Sequence, residues 1–320
     1  MKKIINSLAL IAISALVLLG CRKNDTTVEY PDPWGTVIKT NGAPQQEFTI
    51  NAATGGTITC KRGSKIVFPP NSFANLDNSI TTGNVKLLVK EALDKSQWIL
   101  EGLSTTTTTA MLISGGMLDI EASRMADGVE VKLSAAMLVP TPSLTNVVKV
   151  EVPNIKNLPD TLALFVPGGP IAGGTSVPPA AWAASYFPFG SGPSSYIFQL
   201  PTFHWVNCDR LSGIAGPKTT VKATPDLTAV TGASGVQVLL VYKNLTTVIT
   251  LPASGSSMQS YPNSIPVGSV ADVICIGKDG AGNIIFKVLP STTITTSMDI
   301  SIKPVVTDAA TVTAYLNSIN

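Results

Sequence analysis

The chain has 320 residues, of which 44% are hydrophobic and only 13% are charged, and its formal net charge at pH 7 is +2. Proteins that hold nucleic acids or anionic membranes by electrostatics need clustered cations, and this sequence has no such run of Lys and Arg. We therefore expect no nucleic-acid partner. The length favours two domains over one.

The first 21 residues have the parts of a secretory leader in the required order. Lys2 and Lys3 form a short positive start, residues 4–19 are almost wholly apolar, and Leu18-Leu19-Gly20-Cys21 closes the run. The tetrapeptide resembles a lipobox, in which a small residue precedes the cut and the cysteine thiol accepts a diacylglycerol. An ordinary transmembrane anchor is the alternative, but the apolar run is near the lower limit for spanning a bilayer. We expect residues 1–20 to be a lipoprotein signal peptide and Cys21 to be the lipidation site.

The residues after the cysteine bear on which membrane holds the anchor. An Asp directly after the cysteine is the retention signal of inner-membrane lipoproteins in gram-negative bacteria, and Arg22 stands there instead. We therefore expect an outer-membrane lipoprotein, with the periplasmic and the cell-surface face both left open. Removing the leader takes Lys2 and Lys3 away, so that Lys and Arg fall from 22 to 20 and balance 20 Asp and Glu.

The composition after the leader is typical of an all-β protein. It is rich in Thr, Val, Ile and Ser, and 26 Gly and 23 Pro punctuate it at short intervals. We predict a flexible tether over residues 21–45, a β-sandwich over 46–215 that includes an aromatic-rich extension, and a second, Ig-like β-sandwich over 216–320. A short helix is expected to close the chain.

Strand-like segments of the first domain follow one another closely. In the last of them Val129, Val131 and Leu133 alternate with polar residues, which predicts that all three face a core. The threonine run at 105–109 is interpreted as an exposed strand, because threonine favours strands. The predicted strands are residues 47–51, 56–61, 65–68, 84–91, 106–113, 117–122 and 129–133.

The second domain contains one well-marked hairpin. Its tip is residues 278–283, whose glycines permit positive φ. Near the C-terminus Val312, Leu316 and Ile319 have helical spacing, with Asp308 or Thr307 before them as N-cap. The predicted strands are residues 235–242, 246–251, 269–277, 283–289 and 298–302.

One stretch of the first domain resembles a ZU5-type domain. The resemblance rests on residues 63–73, where Pro69 and Pro70 end a strand and Phe73 closes a small-residue turn, and on Gly83-Asn84-Val85 with Glu91. Residues 114–122, and more weakly 205–210, are similar to stretches of Bacteroidota-type lipoproteins with this domain. The resemblance spans roughly residues 46–135. It implies a β-sandwich and an interaction or structural role, and it implies no activity.

An aromatic group in the irregular stretch after residue 158 is the candidate binding surface. Trp182, Tyr186, Phe187 and Phe189 lie close together in a chain with only 6% aromatic residues. On an exposed loop they would stack on sugar rings or grip a protein. Packing in the core or between domains is the alternative reading, because aromatic side chains are usually buried.

The segment 203–210 contains the only histidine of the chain. On a strand, His204 and Cys208 would share one face, and Trp205, Asn207 and Asp209 would share the other with Phe203. Residues four apart on a strand are about 13 Å apart, which is too far for a nucleophile and its base. We therefore expect a structural role for this segment.

Other catalytic arrangements are weaker. There is no GxSxG or HExxH motif. Asp119 and Glu121 share a face by strand spacing, as paired catalytic carboxylates would, but alternation with Leu118 and Ile120 predicts that they are the solvated side of a strand.

Cys60, Cys208 and Cys275 remain after Cys21 is acylated. Three thiols are either small buried hydrophobic groups or include one disulfide. The sequence has no CxxC and one histidine, so we expect neither a metal site nor a cofactor.

Together these features predict a lipid-anchored envelope protein that is not an enzyme and acts as a binding or scaffolding module for a protein or glycan partner. A carbohydrate-binding accessory lipoprotein is the first alternative. A hydrolase that uses Cys208 or a carboxylate pair is the second.

Overall fold

The computed structural model describes residues 33–159, 161–168 and 179–320. Strands dominate these residues, nearly all strand pairs are antiparallel, and a short helix ends the chain. The prediction of an all-β, sandwich-like protein is therefore confirmed.

The first half, residues 45–211, folds into two facing sheets. A six-stranded sheet has the order β1-β5-β6-β13-β9-β10, and a five-stranded sheet has the order β11-β12-β8-β3-β2; β4 and β7 form a small separate pair. The strands are β1 Gln45–Asn51, β2 Gly56–Thr59, β3 Lys65–Phe68, β4 Phe73–Ala74, β5 Asn84–Ala92, β6 Leu112–Arg124, β7 Lys132–Leu133, β8 Lys149–Pro153, β9 Ala163–Pro167, β10 Trp182–Ala184, β11 Phe189–Ser191, β12 Ser195–Gln199 and β13 Val206–Leu211.

The two sheets of the first half enclose one hydrophobic core. In β5, Val85, Leu87 and Val89 are fully buried and alternate with less buried residues, because successive side chains of a strand point to opposite faces. Phe68 and Phe73 stack in this core with their ring centroids 5.1 Å apart. This core holds the two sheets face to face.

The second half, residues 218–320, repeats the two-sheet arrangement. A five-stranded sheet has the order β17-β16-β21-β22-β24, and a four-stranded sheet has the order β18-β19-β15-β23, in which β15 and β23 are parallel; β14 and β20 pair separately. The strands are β14 Lys218–Thr219, β15 Lys222–Pro225, β16 Ser234–Tyr242, β17 Thr247–Thr250, β18 Ala253–Ser254, β19 Ser257–Gln259, β20 Ile265–Pro266, β21 Val270–Lys278, β22 Ile284–Thr293, β23 Asp299–Ile302 and β24 Val305–Val306.

The sheets of the second half enclose a core of their own, and a third hydrophobic cluster, the middle core, joins the two halves. It contains Trp205 and Met117 from the outer face of the six-stranded sheet, and Leu239 and Ile274 from the five-stranded sheet of the second half. The described helices pack into the same core. They are α1 Pro33–Asn41, α2 Lys95–Leu100 and α3 Ala309–Ser318, with a 3₁₀ turn at Ala135–Leu138 elsewhere. The strands thus divide between the halves near the predicted domain boundary, but the halves share a core.

Two local predictions in the second half are confirmed. β21 and β22 form the expected hairpin, and Asp279 Oδ1 accepts hydrogen bonds from Ala281 N and Asn283 N at its tip. Asp308 is the N-cap of α3, where its side chain accepts a hydrogen bond from Thr311 N. Both features depend on residues close in sequence.

The structure differs from the predicted tether. Residues 33–41, within the range 21–45 that was expected to be flexible, form α1 instead. The helix is stabilised from outside, because Val37 is buried in the middle core and Asn41 donates a hydrogen bond to Asn317 Oδ1 at 2.9 Å. Residues 1–32 lie outside the described residues.

Three predictions around β6 and β7 are wrong. The strand predicted at 106–113 begins only at Leu112 and continues to Arg124, so it includes the separate strand predicted at 117–122. The threonine run is not an exposed strand, because Thr105 and Thr106 are buried. Val131 and Leu133 face the core as predicted, but Val129 is exposed, since it lies in a loop before β7.

Candidate functional site

The candidate aromatic surface separates into buried and exposed members. The indole N–H of Trp182 donates to the backbone carbonyl of Ser104, and its ring is buried in the middle core. Phe187 is buried, and Phe189 stacks on Tyr196 beside the first-half core. Tyr186 alone of the four points outward, with 82% of its surface exposed. Packing thus accounts for three of the four aromatic side chains.

The structure does not bring His204 and Cys208 into a catalytic pair. His204 has a φ of +70° and lies before the start of β13, so the strand predicted from residue 203 is interrupted there. Its Nε2 lies 3.2 Å from Glu130 Oε1. Cys208 faces the first-half core, together with Phe203. Phe203 was predicted on the face of Trp205, and this prediction fails because the backbone reverses at His204.

Burial makes the three thiols poor nucleophiles. Cys60, Cys208 and Cys275 are all free and buried. Desolvation raises the pKa of Cys208 well above its usual value, and the neighbouring Asp209 adds to this effect. Burial also raises the pKa of Cys60 and Cys275 to about 12. At neutral pH all three are therefore uncharged thiols packed as hydrophobic groups.

A closed polar cluster lies on the outer face of β13. Asn207 Nδ2 donates to Asp209 Oδ2 at 2.6 Å, and Ser114 Oγ donates to Asn207 Oδ1 at 3.0 Å. The register shifts by one residue between Cys208 and Asp209, where Gly115 has no partner, and this bulge turns Ser114 towards the cluster. All three polar side chains are fully buried. Desolvation raises the pKa of Asp209 well above its usual value.

The carboxylate pair on β6 was predicted to be solvated, and this prediction is wrong for Asp119. Asp119 is buried, because its side of the sheet is covered by the middle core rather than by water. Glu121, two residues further along the same face, is only partly buried. Alternation identified the face correctly, but the sequence did not show that a second layer covers it.

The junction between the halves uses residues that the sequence did not single out. The outer edge of β17 is covered by the first half: Thr105 N donates to the carbonyl of Val248 at 2.6 Å, and Ser114 N donates to the carbonyl of Thr246 at 2.9 Å. Thr247 Oγ1 in turn donates to the carbonyl of Leu112 at 2.7 Å. A strand edge that is paired in this way is closed to other chains.

Lys95 is a second unpredicted residue of this junction. It is buried, and its Nζ donates to the carbonyls of Tyr242, Lys243 and Leu245 at 3.1, 3.2 and 3.4 Å. Burial lowers the pKa of Lys95 to about 8. The amine therefore closes the turn between β16 and β17 from the first half. Its partners lie about 150 residues away in sequence, so no local pattern indicated this role.

Glu91 organises the end of the first-half sandwich. Its Oε2 accepts hydrogen bonds from Gln46 Nε2 at 3.0 Å and from Arg62 N at 2.8 Å, and its Oε1 accepts one from Ser64 N at 3.1 Å. A buried carboxylate with several donors is a strong structural link. Glu91 thus holds the turn between β2 and β3 against β1 and β5.

Two hairpin loops present an exposed apolar surface, which we call the loop surface. Its members are Leu76, Ile80, Met125 and Val129, with exposed fractions of 63%, 47%, 53% and 42%. The loops are brought together by Arg124, whose Nη1 donates to the side chain of Asn75 in the other loop at 3.1 Å.

Each of these loops is held rigid by its own turn. Asp77 Oδ1 accepts from both the amide and the hydroxyl of Ser79, and the guanidinium of Arg124 forms two hydrogen bonds with Asp127. Lys132 Nζ also donates to the carbonyl of Leu76 at 3.1 Å. The apolar side chains therefore project from a pre-organised backbone.

The remaining site predictions concern metals and the membrane. Among the described residues, no group of three or more His, Cys, Asp or Glu side chains is arranged to hold a metal ion. Within the same part of the chain, no helix is long and apolar enough to cross a membrane. The predicted lipidation site, Cys21, lies outside the described residues.

Comparison of the chain with protein-family models, with curated proteins and with solved structures gives no match in any of the three.

Proposed function

We propose that the chain is a lipid-anchored cell-envelope protein of the outer membrane that acts as a binding module and not as an enzyme. The anchor is supported by the order of cationic start, apolar run and Leu18-Leu19-Gly20-Cys21 at the N-terminus. The non-enzymatic role is supported by the positions of the candidate catalytic groups. Cys208 and Asp119 are buried, and His204 does not pair with Cys208.

The observation that carries the binding role is the loop surface. Four exposed apolar side chains lie on two loops that the Arg124–Asn75 hydrogen bond links, and exposed apolar patches usually mark contact sites. Because the turns fix the backbone before binding, little conformational entropy is lost when a partner docks. We infer that this partner is a protein with a complementary apolar surface.

The two loops of the loop surface lie at one end of the six-stranded sheet. Asn51 pairs with Asn84, and Val85 pairs with Arg124, which places the loops at the same end of β1, β5 and β6. Gln45 begins β1 at the opposite end, about 20 Å away along the strand.

Crosslinking and recovery of partners from intact cells tests this proposal. The double variant Leu76→Asp with Met125→Asp places two charges on the loop surface without touching a core. Val139→Asp is a matched control, since Val139 is 60% exposed and lies outside the loop surface. We expect a partner that is recovered with the unmodified protein and with the control, and lost with the double variant. Recovery of the same proteins with all three would contradict the proposal.

Glycan binding is the second candidate, and one residue favours it. Tyr186 presents an exposed ring, supported by Phe187 at a centroid distance of 5.0 Å, and such a ring suits stacking on a sugar. A glycan array with the unmodified protein and Tyr186→Ala separates the two candidates. Binding that Tyr186→Ala abolishes would support the glycan, and no signal above background would remove it.

A further inference from the structure

The helix α1 is short and mostly exposed. It has nine residues, and only Val37 and Asn41 are buried. Isolated helices of this length are not stable in water, so α1 depends on its contacts with the body. Its sequence, Pro-Trp-Gly-Thr-Val-Ile-Lys-Thr-Asn, contributes little helix stability of its own, because glycine and β-branched residues are poor helix formers. The helix therefore persists only while it is docked.

The docking contacts of α1 are spread along the helix, and Trp34 near its start packs against the middle core. Asn41 Nδ2 donates to Asn317 Oδ1 at 2.9 Å, and Ser96 Oγ donates to the carbonyl of Asn41 at 3.5 Å. Val37 inserts into the middle core. Lys278 Nζ lies 5.7 Å from the ring of Trp34, within the range of a cation–π contact.

By contrast, α3 is firmly integrated into the body. It buries Val312 and Leu316, it is capped by Asp308, and Ile319 directly after it is also buried. The Asn320 side chain then exchanges two hydrogen bonds with Ser96, one to its amide N–H at 3.0 Å and one to its hydroxyl at 2.9 Å. The surface on which α1 docks is thus fixed independently of α1.

We propose that α1 is a reversible strap, which docks on α2 and α3 and detaches without unfolding the body. The proposal rests on the anchor at Cys21, because it assigns the strap a role in setting the reach of the tether. With α1 docked, 11 residues (22–32) separate the anchor from the body, and with α1 detached the separation is 23 residues (22–44). The maximum span rises from about 40 Å to about 80 Å.

Detachment would be confined to the strap because a short proline-containing link separates it from the first strand. Gly42, Ala43 and Pro44 connect α1 to β1, which is paired along its whole length with β5. Proline cannot continue a helix through this link, so α1 and β1 are separate elements, and Ala43 between them is buried in the middle core. The body retains its strand pairs and all three cores, and it loses only the contribution of α1 to the middle core.

Hydrogen exchange followed by mass spectrometry on the full-length protein tests the strap. We expect the α1 amides to exchange at least 100-fold faster than those of β5 and α3, and at least 10-fold slower than an unstructured chain. Low concentrations of urea are expected to leave the α1 rate unchanged, as in local opening, and to speed the exchange of β5. Equal protection of α1 and α3 would overturn the proposal. Unprotected α1 amides would overturn it as well, because the helix would then not dock.

Two matched variants on α1 sharpen the test. Val37→Asp places a charge in the middle core and is expected to speed α1 exchange at least 10-fold, with β5 and α3 changed less than 3-fold. Ile38→Asp, on the exposed side of the same turn, is expected to change α1 exchange less than 3-fold. Loss of the folded body in Val37→Asp would overturn the proposal. None of these measurements depends on acylation of Cys21, which lipid labelling tests separately.

Discussion

The buried carboxyl of Asp209 makes a specific prediction about stability and pH. The side chain is fully buried, Asn207 Nδ2 donates to its Oδ2, and Oδ1 is buried with no hydrogen-bond partner among the described residues. Desolvation raises the pKa of Asp209 well above its usual value. The folded protein therefore holds this proton at pH values at which the unfolded chain has released it.

The sign of the effect is set by linkage between protonation and folding. Between the unfolded pKa of about 3.9 and the raised folded pKa, the folded state binds one more proton than the unfolded state, so stability falls as pH rises. Asp209 alone contributes a slope of about 1.4 kcal/mol per pH unit in that window. Asp209→Asn keeps the shape, accepts the hydrogen bond from Asn207 and has no proton to lose. The variant should therefore lack this slope.

Urea unfolding of both proteins at a series of pH values from 4 to 8 measures the effect. The unfolding free energy of the variant is expected to rise relative to that of the unmodified protein as pH rises, by up to about 1.4 kcal/mol per pH unit within the window. Titrations elsewhere in the chain are common to both proteins and cancel in the difference. A difference in unfolding free energy that stays constant across the series would refute the assignment of Asp209 as a buried, protonated acid.

Three further substitutions test the structural assignments. Lys95→Met should lower stability at pH 7 by about 1–3 kcal/mol, because one buried and two partly buried carbonyls lose their donor. Burial lowers the pKa of Lys95 to about 8, whereas its value in the unfolded chain is about 10.4, so between these two pH values only the unfolded chain binds the proton. The stability of the unmodified protein therefore rises with pH in this window, and Lys95→Met should remove that rise. Glu91→Gln should lower the unfolding free energy by about 2 kcal/mol or more, since an amide would face backbone donors. Tyr186→Ala should change it by less than about 0.5 kcal/mol.

Urea and thermal unfolding measure all three, and each has its own contradicting result. A Lys95→Met protein that still gains stability above pH 8 would show that another group titrates there. A Glu91→Gln protein as stable as the original would mean that the turn between β2 and β3 does not need the carboxylate. A large loss of unfolding free energy in Tyr186→Ala would show that this ring is packed against the body.

The features that the sequence predicted well are those whose causes are local. The hairpin at 278–283 follows from a glycine-rich turn whose Asp279 bonds within four residues. The N-cap at Asp308 bonds Thr311, three residues away. Alternation identified Val131 and Leu133 as core-facing residues, because successive side chains along an extended chain point to opposite sides. In each case the deciding interaction lies within the segment itself.

The features that were missed depend on a second layer over the six-stranded sheet. Asp119 and the buried threonines were predicted to be exposed, since nothing in their own segments shows that the second half covers them. Lys95 was overlooked for the same reason, because its partners are carbonyls of residues 242–245. The helix α1 was read as a tether, because its own pattern is weak and α3 supplies its support.

The candidate site was only partly predictable. The aromatic group was located correctly, but whether a ring is buried depends on the packing of β9 to β12, and only Tyr186 is exposed. The loop surface was not predicted. Leu76 and Met125 stand alone among polar neighbours, and the sequence does not show that Arg124 brings their loops together.

Metabolic labelling with a fatty-acid analogue, followed by membrane fractionation, tests the central claim most directly. The unmodified protein is expected to carry the label and to sediment with membranes. Cys60→Ser is the matched control and should do the same, because that thiol is buried in the body. Cys21→Ser should lose the label and appear in the soluble fraction. A Cys21→Ser protein that keeps its label and stays with the membrane would contradict the account.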